Sequence, residues 1–264
     1  MSARLTWRTA LAEHWPEYLI EAWALGMFMV SASLFTLWFE NPASALNHAI
    51  VNGDVRRGLI GLAMGFTAVM LIYSPWGKRS GAHMNPAVTL AFFSLGRIEA
   101  WNALFYVLAQ FIGGSLGVLL VFSLYGDAFA APPVAFIATM PGRAGNGTAF
   151  VAETAMSLAM MLTVLTVSQH ARWSRYAGVV AGILVASFIT FEAPLSGMSI
   201  NPARTLASAL PGGMWHALWI YLTAPVLGMW VAARLHTLAK PKPGCARLSE
   251  HSTDTSCIHC GYSP

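Results

Sequence analysis

SGAHMNPAVTLA, residues 80–91, and SGMSINPARTLA, residues 196–207, are near-copies of one another, with Asn85 and Asn201 standing 116 positions apart (201 − 85). Each holds Asn-Pro-Ala followed by apolar helical letters. Asn is a preferred N-cap, and Pro suits the first helical position because the N–H it lacks is not needed there. Asn85-Pro86-Ala87 and Asn201-Pro202-Ala203 therefore read as two helix starts, with short helices over 85–95 and 201–210. About ten residues rise only ~15 Å, half of a hydrocarbon core of about 30 Å. Neither helix crosses a bilayer alone, but two placed end to end do.

The rest of the chain supplies the bilayer. Of 264 residues 56% are hydrophobic and 10% charged, against roughly 25% charge in an ordinary soluble domain. Apolar runs fall at about 18–38, 56–74, 100–124, 148–168, 176–193 and 215–236, most of them near the roughly 20 residues a spanning helix needs. No small-residue cleavage site follows a short apolar core, so no removable signal peptide is read. Lys and Arg gather in one set of connections (Arg4, Arg8, Lys78, Arg79, Arg97, Arg172, Arg175, Arg234, Lys240, Lys242, Arg247), and the other set holds Arg56, Arg57 and Arg143. That asymmetry predicts a multi-pass protein of a cell inner or plasma membrane with both termini cytoplasmic. The net charge of +4 describes this orientation, and no basic, aromatic-interleaved patch points to nucleic acid.

The repeat runs beyond its twelve letters. Glu21 and Glu153 lie early in the first and fourth runs, and Ala109-Gln110-Phe111-Ile112-Gly113 answers Ala224-Pro225-Val226-Leu227-Gly228. Two halves of three spans each must enter the membrane in opposite senses, which makes an inverted repeat whose site lies at the midplane where the halves meet. The fold class predicted is an all-α membrane protein of six transmembrane helices plus two re-entrant half-helices. Its segments are a cytoplasmic N-terminal stretch 1–17, a first repeat 18–124, an extracellular connection 125–147, a second repeat 148–238 and a disordered cytoplasmic tail 239–264. Gly61/Gly65, Gly113/Gly117 and Gly178/Gly182 are G-x-x-x-G pairs that let helix backbones approach in lipid.

Extended chain dipping into the membrane before each Asn is tolerable only where its carbonyls face a water-filled path. Gly81, Ala82 and His83 on one side, and Gly197, Met198 and Ser199 on the other, are the candidates. Two helix N-termini, each worth about +0.5 charge, repel cations where they meet. An Asn oxygen can cap its helix while the NH2 group offers donors to the path. A water accepting from both amides cannot relay a proton. His83 reads either as structural or as lining the cytoplasmic half of the path, and Glu192 has no assigned role.

With these residues in view, the chain resembles the aquaporin, or major intrinsic protein, family over about residues 15–238. The resemblance implies a passive homotetrameric channel, one pore per subunit, for water and small neutral solutes in a lipid bilayer, without cofactor or catalysis. It implies that Glu21 and Glu153 are buried struts, and that Arg204, where the first copy has Val88, forms the outer constriction. Counting back from the two Asn residues, that constriction contains Gly65 (or Met64, should one extra residue stand near Ser74-Pro75-Trp76), Ile189, Met198 and Arg204. Ile189 replaces the histidine usual in water channels, so the apolar ring predicts passage of glycerol, urea or undissociated metalloid acids besides water. Thr205 and Ala209 are closer to the water-selective pattern, and Tyr221-Leu222 fits neither pattern well and is closer to the mixed plant-type subgroup that passes glycerol, urea and undissociated metalloid acids. A strictly water-selective channel is the alternative. An ion-coupled transporter also uses inverted repeats, yet two amides occupy the midplane where such a protein places an exchangeable charge.

All three cysteines, Cys245, Cys257 and Cys260, lie in the tail with His251 and His259. They read first as incidental reduced thiols, with no metal centre. The second reading is a C-x-x-C half-site for a thiophilic ion.

Overall fold

A computed structural model describes residues 6–170, 172–239, 244–251 and 254–262; Arg4, Lys240 and Lys242 of the charge count lie outside them. No strand occurs among the described residues. Six long helical spans are apolar enough to cross a membrane: α1 (Trp7–Glu40), α2 (Gly53–Tyr73), α4 (Ala100–Tyr125), α5 (Gly145–Gln169), α6 (Ala177–Phe191, whose span starts with the helical turn Ser174–Tyr176) and α8 (Leu218–Leu238). Two short helices complete the repeat, α3 (Pro86–Ser94) and α7 (Pro202–Gly212). The expected all-α architecture is thus present, with the half-helices within one or two residues of their predicted ends.

The first helix begins well before residue 18. Thr6 accepts from the Thr9 amide at 3.3 Å while the Thr9 hydroxyl accepts from the Thr6 amide at 2.9 Å, a reciprocal cap that satisfies two amides at the helix end. The polar segment read as a separate N-terminal stretch is therefore helical from Trp7 onward. Arg8 and Glu13 are exposed while Glu17 is buried against Arg79; hydropathy registers these charges as a break although helix geometry does not.

Packing follows the repeat. In the first half α1 lies along α4, in the second α5 lies along α8, and α2 and α6 join the halves. The glycine pairs sit at these crossings. A side chain on Gly65 would meet the Gly182 carbonyl at 2.5 Å, one on Gly182 would meet the Gly65 carbonyl at 2.7 Å, and one on Gly117 would meet the Gly26 carbonyl at 2.4 Å. Without a hydrophobic drive between helices in lipid, such backbone approach is what holds them.

The outside of the bundle is apolar. Leu62, Phe66, Leu116, Leu124 and Val151 are each exposed by 60% or more, a surface far beyond what a soluble monomer carries. Trp7, Trp38, Trp76 and Trp101, exposed near helix ends, suit the aqueous boundaries of a bilayer. This is an integral multi-pass membrane protein.

Candidate functional site

The two re-entrant loops are built to one plan. Glu21 of α1 is wholly buried and accepts from the Ser80 hydroxyl (2.8 Å), the His83 and Met84 amides (2.9 and 2.7 Å) and the Gln110 side chain (2.8 Å). Glu153 of α5, equally buried, accepts from the Ser196 hydroxyl (2.8 Å) and the Ser199 and Ile200 amides (both 2.7 Å). A buried carboxylate is tolerable only when its lone pairs are taken up, and here they fasten an otherwise unsupported chain. The backbone needs that support. Gly81, Ala82 and Met84 adopt positive φ (92°, 55°, 49°), and so do Gly197, Met198 and Ile200 (83°, 49°, 48°). A non-glycine residue in this region costs roughly 1–2 kcal/mol, and each loop contains two.

A second pair of struts escaped the sequence reading. The Tyr106 hydroxyl donates to the Ser80 carbonyl at 2.8 Å, and the Tyr221 hydroxyl donates to the Ser196 carbonyl at 2.5 Å. Both tyrosines are fully buried, and each stands four residues before Gln110 or Pro225 in the aligned repeats. Tyr221 therefore belongs to the scaffold of the loop. Glu192, unassigned from sequence, places Oε2 2.9 Å from the same Ser196 hydroxyl, whose one hydrogen the two carboxyls share.

The loops deliver two helix N-termini to each other. Asn85 Oδ1 accepts from the Ala87 amide (2.8 Å), and Asn201 Oδ1 accepts from the Ala203 and Arg204 amides (3.1 and 3.2 Å). Pro86 and Pro202 take the first helical positions. The amide nitrogens then cross over: Asn85 Nδ2 donates to the Ile200 carbonyl and Asn201 Nδ2 to the Met84 carbonyl, both at 2.7 Å. One hydrogen of each NH2 thus ties the opposite loop, and one remains for the cavity. Sequence reading anticipated the cap and the donor, but not the cross-tie that fixes both amides.

A single cavity of about 540 Å³ passes this point, with Asn85 and Asn201 both in its wall. Toward one mouth it is bounded by Met64, Ile189, Met198 and Arg204, and beyond them by Glu40, Asp54 and Arg57; toward the other it is bounded by Val88, His83, Val164 and Leu248. Ala82, Gly197 and Ser199 also border it. Gly65 is absent from this lining and faces α6 instead, so Met64 takes the place counted for Gly65. A six-residue helix, Pro75–Ser80, stands between α2 and the loop, where the sequence allowed one extra residue. Gly81 likewise faces away, its carbonyl accepting from the Leu248 amide at 3.0 Å. The Arg204 guanidinium donates to the Thr139 hydroxyl, a partner from the 125–147 connection that no local pattern reveals.

The other mouth is covered. The tail read as disordered packs there through its described residues. Ala246, Arg247, Leu248 and Ser249 are buried, and the Arg247 guanidinium donates to the Lys78 carbonyl. His83 is buried, with one ring nitrogen 3.0 Å from the Thr89 hydroxyl and the other 3.0 Å from the Ala246 carbonyl. Low hydropathy hid this packing because the contacts are mostly made by backbone atoms and two histidines.

Residues 7–236 match the family model described as major intrinsic protein. The chain is 35% identical over 243 residues to the probable aquaporin AqpM of Archaeoglobus fulgidus, covering 87% of this chain and 98% of that protein. It is 31% identical over 242 residues to aquaporin NIP3-1 of Arabidopsis thaliana, covering 85% and 74%. The X-ray structure of the aquaglyceroporin from Plasmodium falciparum shares the fold, with a TM-score of 0.72 at 20% identity over 85% of this chain and 96% of that one. Through its family model and its full-length relatives, the chain belongs to the major intrinsic protein family.

Proposed function

We propose that the protein is a passive channel for water and small uncharged solutes, with one path through each chain, that it assembles as a homotetramer, and that it lies in the plasma or inner membrane with both termini cytoplasmic. The observation that carries the reading is the continuous cavity crossing two facing, Asn-capped helix N-termini. The positive ends of α3 and α7 disfavour cations there. A water in the cavity that accepts from the two remaining amide hydrogens has no free lone pair with which to take up a proton.

Selection belongs to the Arg204 mouth. Arg204 supplies donors and a positive charge, while Met64, Ile189 and Met198 supply an apolar wall. Such a ring favours solutes with one hydrogen-bonding edge and one carbon face, such as glycerol or urea. Charge counts support the orientation, and the apolar outer surface supports both membrane insertion and contact between subunits.

Swelling of proteoliposomes in glycerol, urea and boric acid gradients tests the solute range. Uptake well above protein-free vesicles is expected for all three. Fast water flux with no added uptake of any of them would instead establish a water-selective channel.

A further inference from the structure

The tail-side mouth carries a cluster of soft ligands that permeation does not require. Cys245 Sγ lies 3.4 Å from Cys257 Sγ, and His251 Nε2 lies 3.0 Å from Cys260 Sγ. One donor atom from each of these four residues lies within 4.8 Å of every other, and the cysteines are free thiols. A tetrahedral zinc ion with Zn–S bonds of about 2.3 Å sets its donors about 3.8 Å apart, and three Cys with one His is a closed structural set. The C-x-x-C pair is held in a tight turn: the Cys257 amide donates to the Tyr262 carbonyl (2.7 Å), the Gly261 amide donates to the Cys257 carbonyl (3.0 Å), and Gly261 takes the left-handed φ of 70° that the reversal needs.

Residues between these ligands are the ones seated on the mouth. Ala246, next to Cys245, offers its carbonyl to His83. Leu248 borders the cavity and donates its amide to Gly81. His259, between Cys257 and Cys260, sets Nε2 3.0 Å from the Ser80 carbonyl and stacks on the His83 ring at 5.3 Å and 8°. Ile258 joins the apolar cluster beneath. A segment this short and this polar cannot bury enough apolar surface to hold a conformation unaided, and a metal is a usual remedy.

We propose that Cys245, His251, Cys257 and Cys260 bind one zinc ion that locks the tail across the mouth and closes the path, and that loss of the ion frees the tail and opens it. The thiols release their protons to solvent as they ligate. The gating half of this inference rests on the cavity being a permeation path, whereas the metal site stands on its own geometry.

The test uses full-length protein, loaded with zinc or stripped by a chelator in detergent before reconstitution, with bound zinc read by elemental analysis and water flux by stopped-flow light scattering. One zinc per chain is expected in the wild type and none in Cys257→Ser/Cys260→Ser. Stripping should raise wild-type water flux severalfold, and the double variant should be fast with or without zinc. Cobalt in place of zinc should give a thiolate charge-transfer band in the wild type alone. Substoichiometric zinc in the wild type overturns the site. Stoichiometric zinc with equally fast flux, loaded and stripped, overturns the gate alone. A chain truncated after Ala239 separates the remaining case: if it and the stripped wild type both fail to conduct, the gate and the channel reading fall together, whatever the zinc count.

Discussion

The two re-entrant loops share most of the parts that hold them up, Gln110 on Glu21 and Glu192 on Ser196 being the unmatched ones, and differ in residues that border the cavity. Glu21 and Glu153, Ser80 and Ser196, Tyr106 and Tyr221, Asn85 and Asn201, and the positive-φ residues all correspond. Even Thr89 and Thr205 keep their partners, which are His83 in one loop and the Ser199 hydroxyl in the other. The symmetry breaks at His83 against Ser199 and at Val88 against Arg204. Support for a chain buried in lipid admits few solutions, so it repeats. Chemistry at each mouth is free to diverge, giving a mouth bordered by Arg204 on one side and a mouth that holds the tail on the other.

The largest expected effect comes from removing what the loops share. Glu153→Ala would leave the Ser199 and Ile200 amides without their acceptor, at about 1–3 kcal/mol for each buried group, and would leave the Ser196 hydroxyl to Glu192 alone. Thermal unfolding in detergent should show a steep loss of stability or no folded protein, and Glu21→Ala should behave alike. A mild effect in one and collapse in the other would break the equivalence of the halves.

Arg204→Val instead imposes on one mouth the residue of the other. It should leave water flux intact, speed glycerol entry and admit a cation leak, measured by ion-selective dyes in the same vesicles. Thr139→Ala, which only frees the guanidinium, should move these quantities the same way by less. No cation leak in Arg204→Val would place the charge barrier wholly at the helix N-termini.

Gly65→Ala sharpens the boundary between scaffold and lining. Its new methyl meets the Gly182 carbonyl, an overpacking that should cost about 1–3 kcal/mol of stability while the glycerol-to-water flux ratio holds. The smallest change is expected for Ile189→His with Met198→Thr, which exchanges apolar wall for polar at the same mouth. Glycerol flux relative to water should fall about tenfold, the scale on which a pocket discriminates by a methylene or two.

How much of this was legible follows from how local each signal is. The Asn-Pro-Ala starts and the matched positions of Glu21 and Glu153 were readable because a repeat is a comparison the chain makes with itself, whereas the burial of those carboxylates was implied by the family resemblance. Met64 rather than Gly65 borders the cavity, the alternative that an extra residue near Ser74-Pro75-Trp76 left open, and the helix Pro75–Ser80 stands at that point. Thr139 and Tyr106 reach their partners across 65 and 26 residues of chain, with no spacing rule to announce them. The tail was misjudged on composition, since hydropathy does not register backbone hydrogen bonds or ring stacking.

Water and proton fluxes recorded together in one proteoliposome preparation, tail-truncated so that the mouth is clear, test the central claim most directly. Two Asn-capped helix ends forming one barrier should give fast water flux while an imposed pH gradient decays no faster than in protein-free vesicles. Proton flux that rises in step with water flux, or water flux no faster than in protein-free vesicles, would contradict it.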